Sequence, residues 1–180
     1  MKFASEDLRH EHEGILYGLE ILEDMADRLN DALLVEVEDL ESMIHFLKLF
    51  ADKCHHGKEE GLLFPSLEKA GIPREGGPIG VMLAEHVEGR ALIARMSAAL
   101  EGNFVPQKFA EAAIQYVQLL RAHIDKENQV LFVMADQRLP QVEQEQLLET
   151  FESFEAEVMG PGVHEKLHHQ LEHLAKKYHS

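Results

Sequence analysis

The stretch His55–Phe64, which reads HHGKEEGLLF, recurs later in the chain as His123–Phe132, which reads HIDKENQVLF. In both copies a histidine is followed four residues later by a glutamate and nine residues later by a phenylalanine. Residues four apart lie on the same face of an α-helix, so each copy presents one imidazole and one carboxylate together. Two such pairs, joined by single histidines from other helices, are what a dinuclear metal site in a helical bundle requires.

The first copy leaves a choice of register, because His55/Glu59 and His56/Glu60 both have the four-residue spacing. The repeat decides between them, since His55 precedes the phenylalanine of its copy by nine residues, as His123 does in the second copy. The sequence therefore predicts that His55 and Glu59 point inward. His56 and Glu60 then either face solvent or contact the ligands from outside.

Composition excludes several classes of function. The chain has 180 residues, a net charge of −16 and a single cysteine. Phosphate binding needs a basic face, which argues against nucleic acid and anionic membranes as partners. No apolar run approaches the roughly 18 residues of a membrane span, and the N-terminus lacks the pattern of a signal peptide, so we expect a cytoplasmic protein.

Apolar residues recur with helical periodicity along almost the whole chain, and strand patterns are nearly absent. The first helix is predicted to begin with Ser5 as its N-cap, and the second to span about residues 32–67. Gly- and Pro-rich residues 71–78 form a loop, Pro140 opens a fifth helix, and residues 160–162 separate a sixth.

These segments predict an all-α fold. Short connections make consecutive helices antiparallel neighbours, so residues 1–138 are predicted to form an up-down-up-down four-helix bundle. Residues 139–180 add two C-terminal helices packed on it. His12 and His86 replace apolar residues near the starts of the first and third helices, and the two repeats lie near the ends of the second and fourth. At 1.5 Å of rise per residue, all these groups lie roughly 10–20 Å from the same end of the bundle.

A metal centre explains why polar groups from four helices converge on one level of an apolar seam. Each buried polar group left unpaired would cost about 1–3 kcal/mol, whereas shared metal ions satisfy all of them together. The alternative is a set of hydrogen-bonded core histidines. Four imidazoles and two carboxylates suit iron or manganese better than a closed zinc site, and bridging carboxylates would leave each ion an open position. The predicted ligands are His12, His55, Glu59, His86, His123 and Glu127.

Two further side chains have competing interpretations. Tyr116 lies on the inward seam one heptad before His123. It either approaches a metal-bound ligand or is a core aromatic residue with a satisfied hydroxyl. Arg90 either supports or gates the site as a partner of Glu59 or Glu127, or forms an exposed ion pair with a neighbouring glutamate.

The chain resembles the hemerythrin-like, or HHE cation-binding, family over about residues 5–136. The resemblance rests on four stretches, which are residues 11–13, 55–65, 77–86 and 123–132. It implies a non-haem di-iron centre held by the six predicted ligands, with the two glutamates bridging. The Gly77–His86 stretch is especially similar to the di-iron proteins that repair iron–sulfur centres under nitrosative stress. One departure is that Arg90 stands where oxygen-carrying hemerythrins have a further histidine, so we expect a more open and more symmetric site.

The sequence leaves the activity open between several functions. The first is binding or sensing of oxygen, nitric oxide or peroxide at two iron ions, with manganese or zinc as alternative metals. The others are enzymatic turnover of peroxide or nitric oxide, iron storage or donation to damaged iron centres, and a purely structural metal. A redox partner protein is a further candidate partner, and the last helix could cover the bundle or mediate a homodimer.

Overall fold

The structure, a computed structural model, describes residues 2–179. The described residues contain six helices and no strand, which confirms the predicted all-α class. Four of them are α-helical without interruption, namely α1 (Ala4–Asn30), α3 (Pro78–Leu100), α5 (Gln141–Val158) and α6 (Val163–Tyr178). The long helices α2 (37–69) and α4 (106–138) are each interrupted by wider π-helical turns.

The π-helical turns coincide with the two repeats. In α2, Val37–Phe46 is α-helical, Leu47–His56 and Glu59–Leu63 are π-helical, and Phe64–Lys69 is α-helical again. In α4, the π turn Glu127–Leu131 separates Pro106–Lys126 from Phe132–Arg138. The inward residues 51, 55 and 59 of α2 follow one another in steps of four, whereas those of α4 keep regular steps of four and three through the π turn. Single π turns inside α-helices are frequent at functional sites.

Ion pairs between helices show that the bundle is antiparallel. Arg9, near the start of α1, lies 3.1 Å from Asp136 near the end of α4. Arg121, in the middle of α4, lies 2.8 Å from Glu23 in the later half of α1. The two helices therefore run in opposite directions along each other.

Two apolar clusters fill the interior, one on either side of the polar residues of the repeats. The smaller cluster contains Leu8, Phe64, Met82 and Phe132 of the bundle, together with Phe151 of α5. The larger cluster fills the rest of the bundle and takes in Leu167, Leu171 and Leu174 of α6. Because each bundle helix carries its polar residues between members of the two clusters, the candidate site is a polar layer between two apolar ones.

Two helix boundaries differ from those predicted. Helix α1 begins at Ala4 with Phe3 as N-cap and no side-chain cap, so Ser5 is not the N-cap. The Ser5 hydroxyl instead hydrogen-bonds to Asp136 of α4. Helix α2 begins at Val37 and not near residue 32, because Ala32 has a positive φ of 56° and leaves the helical path.

The C-terminal helices contact the bundle beside the polar layer and near the start of α2. Phe154 of α5 packs over Gly57, where an added Cβ would lie 2.8 Å from the ring. Near the start of α2 the hydroxyl of Tyr178 donates a hydrogen bond of 2.5 Å to Asp39. No helix among residues 2–179 combines the length and apolar character needed to cross a membrane.

Candidate metal centre

Seven side chains from all four bundle helices form two groups that could each hold a metal ion. The first group is His12, His55, Glu59 and Glu127, and the second is His56, Glu59, His86 and His123. Within each group one potential ligand atom per residue lies within 4.8 Å of every other. Glu59 belongs to both groups, so the two positions share a carboxylate.

Both glutamates lie between the two groups. Oε1 of Glu59 is 2.9 Å from Nε2 of His55 and 4.0 Å from Nε2 of His86. Oε1 of Glu127 is 2.9 Å from Nε2 of His123 and 3.5 Å from Nε2 of His12. Each carboxylate therefore lies between a histidine of one group and a histidine of the other, as a bridging ligand would.

The site is closed off from solvent. The most exposed of the seven side chains, His56, retains 4% of its surface, and Glu59 and Glu127 retain none. Phe132 stacks on the ring of His12 with centroids 5.3 Å apart, and Phe64 stacks on His86 at 6.1 Å. The phenylalanines that end both repeats thus form an apolar wall beside the polar layer.

Every histidine of the two groups has its Nδ1 atom beside a polar partner. These partners lie on neighbouring turns or helices and leave Nε2 to face inward, where Nε2 of His86 and Nε2 of His123 lie 3.2 Å apart. The pairs are His12 with Asn128 at 2.7 Å, His55 with Glu11 at 3.1 Å, His56 with Asp52 at 3.2 Å, His86 with Glu60 at 3.1 Å and His123 with Glu85 at 3.0 Å. Hydrogen bonds of this kind fix the tautomer and orientation of metal-binding imidazoles.

A buried lysine supports one of these partners. Nζ of Lys58 donates to Glu11 at 3.0 Å, to Asp7 at 3.1 Å and to Glu155 at 3.3 Å, and none of its surface is exposed. Because Glu155 belongs to α5, this ion cluster ties the C-terminal region to the carboxylate that orients His55.

The electrostatics of the site favour the metal-binding forms of His12 and Glu59. Burial and the neighbouring His55 lower the pKa of His12 to about 3, so its imidazole is neutral. Burial alone would raise the pKa of Glu59, but His55 and the other imidazoles lower it to about 2. His55 behaves differently, because Glu59 and Glu11 outweigh burial and raise its pKa to about 9. A metal ion would have to displace that proton, which couples metal binding to proton release.

Several inward atoms lack hydrogen-bond partners among residues 2–179. They are both carboxylate oxygens of Glu59, both of Glu127, and Nε2 of His12 and His55. The short distances from Nε2 of His55 and His123 to these oxygens do not have hydrogen-bond alignment. Buried polar atoms are rarely left unpaired, and carboxylate oxygens and imidazole nitrogens are metal ligands. The residues present therefore fit a pair of metal ions.

The six ligands predicted from the sequence all lie in this layer, and His56 lies there with them. Glu60 contacts Nδ1 of His86 from outside the layer. Arg90 pairs with Asp52 at 2.9 Å and with Glu60, and not with Glu59 or Glu127. Tyr116 is 1% exposed and so is a core aromatic residue, as one of its two interpretations held, but no described residue hydrogen-bonds to its hydroxyl. His56 is buried, which excludes its solvent-facing alternative.

Sequence reasoning missed the residues that hold the histidines. Glu11, Asp52 and Glu85 lie directly before or a few residues from a predicted ligand, but nothing in the helical pattern distinguishes them from surface acids. Lys58 could have been found from the sequence. A lysine at an inward position beside Glu59 is a buried charge, and a buried charge needs partners.

A buried layer of imidazoles and carboxylates inside an antiparallel four-helix bundle defines a metal-binding protein of the helical-bundle class. The sequence pattern of the hemerythrin HHE cation binding domain matches residues 4–135, and the chain belongs to that family. Comparison with curated proteins and with solved structures gives no match.

Proposed function

We propose that this chain is a non-haem di-iron protein that binds or senses oxygen, nitric oxide or peroxide. Its centre would be held by His12, His55, Glu59, His86, His123 and Glu127, with both glutamates bridging. The observation that carries the proposal is the position of each glutamate between a histidine of one group and a histidine of the other.

The donor set favours iron over zinc. A closed structural zinc site takes four ligands in a tetrahedron, whereas this layer offers a mixed imidazole and carboxylate set that spans two adjacent positions. Two ferrous ions, when bound, would supply both electrons and an open coordination position for a small oxidant. The protein orients the imidazoles through their Nδ1 partners and keeps the Glu59 carboxylate ionised.

Burial restricts what can reach the centre. The ligand side chains are nearly fully buried, and apolar clusters lie on both sides of them. A polar metabolite would need its own hydrogen-bonding partners in this layer, whereas a two-atom ligand needs only a path between side chains. These features support a small diatomic or peroxide ligand.

The test is reconstitution of the full chain with ferrous iron under anaerobic conditions, followed by titration with nitric oxide, oxygen and peroxide. We expect two irons per chain and a change in the visible spectrum that saturates with the added ligand. Glu59→Gln should bind less iron and lose the spectral change, and the exposed Glu13→Gln should behave as wild type.

The outcomes separate the candidate functions. A saturating spectral change without continued consumption of the ligand supports binding or sensing. Sustained turnover of peroxide or nitric oxide with a reductant would replace that proposal with an enzyme. Two tightly held irons that respond to none of the three ligands would contradict both.

A further inference from the structure

We propose that His56 is a fifth imidazole ligand, which adds a third nitrogen to the metal position that contains His86 and His123. This inference rests on the proposed di-iron function and changes the ligand set in two ways. The chain would use seven protein ligands, and the two metal positions would be chemically unequal.

The position and burial of His56 place it among the metal ligands and not among the residues that orient them. A nitrogen of His56 lies within 4.8 Å of ligand atoms of Glu59, His86 and His123 at the same time. The side chain is only 4% exposed. Its Nδ1 atom contacts Asp52 at 3.2 Å, so Nε2 is the nitrogen that remains for a metal, as in the other four histidines.

Arg90 orients both His56 and His86 through two carboxylates. Nε of Arg90 donates to Asp52 at 2.9 Å, and the guanidinium also pairs with Glu60. Asp52 contacts Nδ1 of His56, and Glu60 contacts Nδ1 of His86. One fixed cation therefore orients both carboxylates, and the two carboxylates orient two neighbouring imidazoles. Partners this well ordered are typical around metal-binding histidines.

Adjacent histidines of α2 supply the two metal positions from one helix. Successive residues of an α-helix point about 100° apart, so His55 and His56 reach different parts of the polar layer. Both lie in the π-helical segment Leu47–His56, and π turns are frequent at functional sites. His55 joins the first metal position and His56 joins the second.

A competing role for His56 is simple stacking. Its ring lies 3.8 Å from the ring of His86, with 18° between the planes, so it could support His86 without binding metal. His56→Phe separates the two roles, because phenylalanine keeps an aromatic ring against His86 but has no nitrogen to donate.

The experiment uses cobalt(II) as the probe, loaded anaerobically into the full-length protein. Each imidazole bound through Nε2 keeps an Nδ1–H a few bonds from the paramagnetic ion, so it gives one strongly shifted, solvent-exchangeable proton signal. We expect five such signals in wild type, one for each histidine of the two groups, and four in His56→Phe. The exposed His10→Phe is the matched control and should keep all five.

The possible results discriminate the inference from the function on which it rests. Four shifted signals in wild type, unchanged in His56→Phe, with two cobalt ions bound, would overturn ligation by His56 and leave the dinuclear centre intact. Uptake of fewer than two cobalt ions by wild type would overturn the dinuclear centre and this inference together. If His56→Phe does not fold, the number of shifted proton signals in wild type still decides whether His56 binds metal. Asp52→Asn is then the second variant, and it should shift one signal selectively.

Discussion

At the scale of single residues, the support of the centre depends on charges that are buried and mutually satisfied. Lys58 has no exposed surface, yet three carboxylates from α1 and α5 surround its ammonium group. These carboxylates outweigh burial and keep the pKa of the Lys58 ammonium group above its usual range. Such a cluster adds little net stability when intact, but removing one member leaves the other charges buried without a partner.

Lys58→Met should therefore be strongly destabilising. Methionine fills a similar volume but leaves Glu11 without its cation, so we expect a loss of about 3–5 kcal/mol in the free energy of unfolding. Because Glu11 orients His55, iron affinity should also fall by about 10–100-fold. Urea denaturation and ferrous iron titration measure the two effects. Lys53→Met, at an exposed position of the same helix, is the control, and equal stability of both variants would contradict this account.

At the scale of helices, close packing at glycine positions fixes how the elements approach one another. A Cβ on Gly18 of α1 would lie 2.6 Å from the ring of Phe46 in α2, whereas a Cβ on Gly61 would meet nothing within 4 Å. Phe46 is 1% exposed, so its ring has little room to move. Close packing therefore requires a glycine at position 18 but not at position 61.

Alanine substitution at these two positions should change stability in opposite directions. Gly18→Ala should cost about 1–3 kcal/mol, because overpacking outweighs the better helix propensity of alanine. Gly61→Ala should gain about 0.5–1 kcal/mol from propensity alone. Thermal unfolding of both variants checks the prediction, which fails if Gly18→Ala is as stable as Gly61→Ala.

Tyr178 and Lys177 of α6 hydrogen-bond to Asp39 of α2, and this contact contributes to stability in a pH-dependent way. Burial would raise the pKa of Asp39, but hydrogen bonds from Tyr178 and Lys177 lower it below its ordinary value of 3.8. Because the folded state favours the ionised form, the stabilisation is present above about pH 4 and is lost as the pH falls through the folded pKa.

Asp39→Asn should accordingly be less stable than wild type by about 1.5–3 kcal/mol at neutral pH, the range for hydrogen bonds to a charged group. The difference between the two proteins should shrink as the pH falls below about 4. Urea denaturation at several pH values measures it, with exposed Asp31→Asn as the control. A difference that stays constant down to the acid limit would show that the carboxylate charge of Asp39 does not contribute.

At the scale of the whole molecule, the sequence predicted the helices and the level of the site because both follow from periodicity. His12 and His86 stand in for apolar residues on regular helical seams, so their inward direction could be inferred. The π turn of α4 could not be inferred, since its inward residues keep regular steps of four and three through residues 127–131. His56 was placed outside the site because the repeat assigned one histidine of each copy to it, and the partners of Lys58 were missed because they come from distant parts of the chain.

Metal binding should also stabilise the whole fold, because the polar layer crosses the interior between two apolar clusters. Ferrous iron at about 1,000 times its dissociation constant should add about 4 kcal/mol per ion. Wild type should therefore unfold at a higher temperature with iron than after chelation, and Glu59→Gln should show a smaller difference. Equal unfolding temperatures with and without iron would contradict a centre built from these residues.

The metal content of the full chain, measured by plasma mass spectrometry, tests the di-iron centre directly. The protein should be produced in iron-replete cells and purified without nickel. We expect about two irons per chain, and a loss of iron in Glu59→Gln. One zinc per chain, or no metal after anaerobic reconstitution with ferrous iron, would contradict it and leave the buried oxygens of Glu59 and Glu127 without an explanation.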